Sequence, residues 1–108
     1  MNNEKIEKKI LSLLGLAMRA GKMASGEFQT ETAVKSETAF LVVIAKDASD
    51  NTKKLFQDKC SFYKIPIISF GTKEELGHAI GKEYRASLAI LDKGFAETII
   101  NMKQSSQV

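Results

Sequence analysis

Two rhythms of apolar residues alternate along this chain. From Glu4 to Ala20, Ile6, Ile10, Leu13, Leu14 and Ala17 recur at spacings of three and four, the stripe of an amphipathic helix. Gly21 stops it. Lys22 to Ser25 reads as a short extended edge strand. A second helix is expected from about Gly26 to Lys35, with Ser25 as N-cap, Glu27 in the first turn, where a negative charge suits the dipole, and Ala33 and Val34 turned inward. Ala39 to Ala45 is an unbroken apolar run, β-branched at its middle and too short for a helix. It predicts a central strand covered on both faces.

The second half repeats the alternation. Ser49 or Asp50 caps a third helix whose stripe is Leu55, Phe56, Cys60 and Tyr63. Pro66 opens a strand over Ile67 to Phe70, a place where proline costs no ladder bond. Thr72, with Glu75 three residues on, forms a capping box for a helix ending near Gly81. Lys82 to Arg85 is a loop and Ala86 to Leu91 a strand. Asp92 caps a last helix that buries Phe95, Ile99 and Ile100, and a polar tail from about Lys103 to Val108 is expected to fray. Helices and strands in alternation give one layered α/β domain with helices on both faces of a sheet. The pattern leaves the strand order open.

Composition narrows the choice of partners. Sixteen Lys and Arg against 13 Asp and Glu give a net charge of +3, which permits a nucleic-acid partner without demanding one. Only Arg19 and Arg85 carry the planar guanidinium fork that lysine cannot copy. The lone Cys60 excludes an intrachain disulfide and a cysteine zinc cluster, and the lone His78 lacks a nearby second ligand. No apolar run reaches the ~20 residues a membrane helix needs, and the N-terminus has no signal-peptide pattern. The expected setting is cytoplasmic, without metal, membrane or cofactor.

Motifs for catalysis are missing. No Gly-rich dinucleotide loop, Walker loop or nucleophile elbow is present. Gly77 and Gly81 fall within and just after a helix. The carboxylate pairs Asp47 with Asp50 and Glu74 with Glu75 lie at helix starts, where the dipole alone explains them. No enzyme activity or small-molecule substrate is expected. The start of the second helix is more promising. Gln29 and Thr30 sit beside main-chain N–H groups that have no partner within the helix, and such a site holds a phosphate or a base edge.

The order of residues there, Gly26-Glu27-Phe28-Gln29-Thr30 followed by Ala33-Val34, resembles the signature of the ribosomal-protein family that binds kink-turn RNA. Val42-Val43-Ile44-Ala45-Lys46-Asp47 resembles its central strand and exit loop, Cys60 to Pro66 its helix-to-strand joint, and Glu75 to Lys82 its Glu-Leu-Gly helix. The likeness runs from roughly Lys9 to Ile100. It implies a compact three-layer α/β/α sandwich around a four-stranded mixed sheet, and a structured RNA partner, kink-turn or ribosomal, with the ribosome as a setting.

It also implies that three loops meet on one edge: the helix start at Gly26, the strand exit at Lys46-Asp47-Ala48, and Lys82 to Ala86. Lys22, Lys46, Lys82 and Arg85 would then face phosphates, and Tyr84 or Arg85 would stack on an extruded base. Each lysine alone is an ordinary surface charge, so the argument rests on the set. Gln29 and Thr30 match the family's motif. Glu27 stands where the family has Thr, Phe28 where it has Lys or Asn, and Thr32 where many members have Lys. These three exchanges remove donors and add a negative charge, so weakened kink-turn recognition is expected. A second function fits the same fold, a protein-docking surface anchored by Phe28. A small-molecule enzyme ranks last.

Overall fold

The apolar run in mid-chain becomes the strand on which the rest is laid. In the computed structural model, which describes residues 3–106, β2 spans Leu41–Ile44 and is buried on both faces. Around it the chain runs α1 (Asn3–Arg19), β1 (Met23–Ser25), α2 (Glu27–Lys35), β2, α3 (Asp50–Tyr63), β3 (Ile67–Ser69), α4 (Lys73–Ala79), β4 (Ser87–Ile90) and α5 (Lys93–Gln104). The strands form one mixed sheet in the order β1-β4-β2-β3. β4 is antiparallel to both β1 and β2, and β3 is parallel to β2.

α1 packs against α4 and α5, and α2 packs against α3, so the sheet lies between two helical layers. The result is a three-layer α/β/α sandwich. Its core is drawn from the predicted stripes: Ile6, Ile10, Leu14 and Ala17 of α1, Phe56 and Cys60 of α3, and Ile99 of α5 are buried. Leu55, Tyr63, Phe95 and Ile100 border this core half-buried.

The local capping signals act largely as read. Ser49 Oγ accepts from the Thr52 N–H at 3.1 Å, and Asp92 Oδ2 from the Phe95 N–H at 2.9 Å. Thr72 and Glu75 form the reciprocal capping box. α2 differs. Its N-cap is Gly26 rather than Ser25, because Ser25 is still paired with Leu88 in the sheet. Gly26 takes φ 91° and ψ 161°, a left-handed extended conformation that a side chain would resist, and this turns the chain from strand into helix. β3 stops at Ser69, one residue short of Phe70. α5 continues through Lys103 and Gln104, which the sequence reading placed in the polar tail; Gln107 and Val108 lie outside the described residues.

Candidate nucleic-acid interface

Strand directions decide which loops meet. β1 and β2 are both antiparallel to β4, and β3 is parallel to β2. The ends of β1, β2 and β3 and the beginning of β4 therefore lie at one end of the sheet. The segments found there are Gly26 with the first turn of α2, Ala45 to Ala48, Phe70 to Thr72, and Lys82 to Ala86.

Backbone hydrogen bonds knit these segments together. Gly26 N–H donates to Ser87 O at 3.0 Å, and Ala45 N–H to Ala86 O at 2.9 Å. Lys46 N–H donates to Gly71 O at 2.7 Å, and Arg85 N–H to Lys73 O at 3.1 Å. Asp47 contributes a side chain: its Oδ1 accepts from the Lys73 N–H at 2.8 Å. The Lys82–Arg85 loop is seated on α4 at Gly77. A Cβ there would run into Glu83 O, and would come within 2.6 Å of the Glu83 carbonyl carbon and 3.0 Å of Tyr84 Cα. Only glycine permits that approach.

The sequence-predicted residues divide in this frame. Glu27, Phe28, Gln29 and Thr32 are exposed on the start and outer face of α2. Lys46, Lys82 and Tyr84 are exposed on the adjoining loops. Arg85 is half-buried, and its guanidinium bends back so that Nη1 donates to Tyr84 O at 2.7 Å. Two residues depart from expectation. Thr30 is fully buried, because it shares the inward face of α2 with Ala33 and Val34. Its side chain is closed off from an outside ligand. Lys22 precedes β1, and its carbonyl accepts from Leu91 N–H beyond the finish of β4. The three residues of β1, at about 3.4 Å each, separate it from Gly26 and put it at the other end of the sheet.

α2 receives no side-chain cap, whereas α3, α4 and α5 each do. Its first-turn N–H groups are thus open to an external acceptor. Glu27 is held by the protein itself: Thr52 Oγ1 donates to its Oε1 at 3.1 Å, and Ser49 Oγ donates to Thr52 Oγ1 at 3.0 Å. This relay ties the first turn of α2 to that of α3. It leaves the negative charge in place and fixes where it sits. Below the surface, Thr30 Oγ1 and Ser87 Oγ are buried without a hydrogen-bond partner.

Lys73 was not among the sequence-predicted residues, yet its backbone links Asp47 to Arg85. Both contacts use its main chain, so its side chain carried no signal for them. Asp47 and Gly77 lie in stretches that the family resemblance covers, but their contacts had no local signal, because their partners are distant in sequence.

Two cavities near or beyond this edge suit a polyanion poorly. A shallow cleft of about 310 Å³ beside Tyr84 is lined by Glu74, His78, Lys82 and Glu83. A larger one, about 720 Å³, lies between α1 and α4 and is bordered by Glu74 and Glu75 without a single Lys or Arg. Among the described residues no cluster of three or more His, Cys, Asp or Glu is placed to hold a metal ion, and no helix is long and apolar enough to cross a membrane.

Comparison with known proteins matches residues 8–100 to the ribosomal protein L7Ae/L30e/S12e/Gadd45 family. The RNA-binding protein YlxQ of Enterococcus faecium is 43% identical over 95 residues, spanning 88% of this chain and 91% of its own. The large ribosomal subunit protein eL30 of Tetrahymena thermophila is 38% identical over 92 residues, 83% of this chain and 88% of its own. A solved structure of a Bacillus halodurans protein of unknown function superposes with a TM-score of 0.86 at 41% identity, covering 89% of this chain and 97% of that one. With the same sandwich, and with the family match spanning the sheet and all the edge segments, this chain belongs to the L7Ae/L30e/S12e/Gadd45 ribosomal-protein family.

Proposed function

We propose that this protein binds structured RNA, kink-turn or ribosomal, and acts without catalysis. The observation that carries the reading is the collection of an uncapped helix start, Gln29, Lys46, Lys82 and Tyr84 at one end of the sheet, held there by backbone hydrogen bonds between segments far apart in sequence. The names of its relatives, RNA-binding and ribosomal, agree with it. Recognition works by shape. Phosphates settle against the first-turn N–H groups of α2 and the lysines, and this positions the domain. Gln29, whose amide carries both donor and acceptor, reads a base edge. Thr30 supports the turn from beneath rather than touching RNA.

Phe28 and Thr32 weaken recognition of a standard kink-turn. Base edges taken from water need hydrogen-bond partners, a phenyl ring offers none, and an unmatched polar contact costs about 1–3 kcal/mol. The double change Phe28→Asn with Thr32→Lys, measured against a kink-turn RNA at fixed salt, is expected to bind at least about tenfold tighter. Gln29→Ala is expected to abolish the base-specific component and leave the salt-dependent background. No gain from the first together with no loss from the second would show that this edge does not read RNA.

A further inference from the structure

Phe28 is 76% exposed on the first turn of α2. Its neighbours Glu27, Gln29 and Thr32 are exposed and polar. We propose that Phe28 is a stacking platform for one unpaired base, so that the RNA taken by this edge carries an unpaired base beside the one Gln29 reads. This rests on the RNA-binding reading and names the class of RNA.

The surroundings of the ring argue for a base over an apolar protein surface. A phenyl ring offers only its faces and edge, and every base has a matching π face. An apolar partner seated on the ring would also desolvate Glu27, Gln29 and Thr32, whose polar atoms it could not satisfy. A base brings its own polar rim, which the Gln29 amide can pair while the ring stacks. Finally, the ring stands on a helix start whose backbone is tied to the sheet, where Gly26 N–H donates to Ser87 O. Little freedom is lost on stacking. Lys46 and Lys82 are exposed on loops at the same end of the sheet, available to backbone phosphates. The equally exposed Phe62, 78%, provides the contrast, for it lies beyond the opposite end of the sheet with Tyr63 edge-on at 4.9 Å and Leu55 beside it in a small cleft.

The test uses an internally looped RNA that does not fold as a kink-turn, with 2-aminopurine at one unpaired position, and the same stem fully paired. Wild-type protein should change the 2-aminopurine fluorescence on binding. Phe28→Ala should weaken binding to the looped RNA about five- to a hundredfold and abolish that change, with no effect on the paired stem. Phe28→Trp should bind the looped RNA at least as tightly as wild type. Because the ring is exposed, both variants should melt at the wild-type temperature. An unchanged affinity in Phe28→Ala, or an equal loss on both RNAs, overturns the stacking role while RNA binding by the edge stands. Failure of the wild type to bind either RNA overturns both readings. A protein partner lost in Phe28→Ala, with RNA affinity unchanged, assigns the ring to protein docking instead.

Discussion

Gln29 and Thr30 are neighbours in sequence and opposite in placement. One hundred degrees of helix rotation puts Gln29 in water and Thr30 against the core with Ala33 and Val34. The motif groups them as one recognition unit, and the backbone separates them. Cys60 is a residue whose behaviour follows from burial alone. It is buried on the inner face of α3, and desolvation of the thiolate pushes its pKa from 9.0 to about 11. The thiol should therefore resist alkylation in the native protein at pH 8 and react only on unfolding, as a timed labelling experiment with and without denaturant would report. The sign for stability follows. The folded form keeps its proton longer than the unfolded form, so this contribution is whole below about pH 9 and is lost as pH rises toward 11. Replacing Cys60 with Val should flatten the fall in melting temperature over that interval. Rapid native labelling at pH 8 would contradict the buried assignment. The burial of Cys60 was readable from its helical spacing with Phe56 and Tyr63. Burial of Thr30 was readable in principle from its spacing with Ala33 and Val34, but the motif drew it outward.

At the scale of elements, the capping box at Thr72, the caps at Ser49 and Asp92 and the central strand were all legible, because each depends on residues within a few positions of one another. The start of α2 was misread by one residue for a reason beyond local sequence. Ser25 is claimed by Leu88 across the sheet, and the helix must begin after Gly26. The seat of the Lys82–Arg85 loop was hidden in the same way, since the Glu83 backbone lies over Gly77. Gly77→Ala is thus a test of how this loop is held. The added methyl must push Glu83 and Tyr84 away, and overpacking of this kind costs about 1–3 kcal/mol. A fall in melting temperature of at least about 5 °C is expected, together with weaker RNA binding as Lys82 and Tyr84 shift. A variant that melts and binds as wild type would mean that the loop is not fixed by this contact.

For the whole molecule, the strand directions matter more than any single residue. Three strands end and one begins at the same place, so four segments scattered from Gly26 to Ala86 become one surface. No local pattern states that order, and the family resemblance was what implied three of the four segments; Gly71, which receives Lys46, came only from the fold. The same order removes Lys22 from the set and brings Lys73 near it. The molecule thus has two poles, a polar one carrying Gln29, Lys46 and Lys82, and one beyond the opposite end of the sheet carrying Phe40 and Phe62. The most direct measurement is ultraviolet crosslinking in cells, with sequencing of the attached RNA and mass-spectrometric mapping of the crosslinked peptides. The account predicts structured RNA joined to residues 26–32, 46–48 and 82–86. Recovery of no RNA above an untagged control, or crosslinks confined to the Phe40 and Phe62 pole, would contradict it.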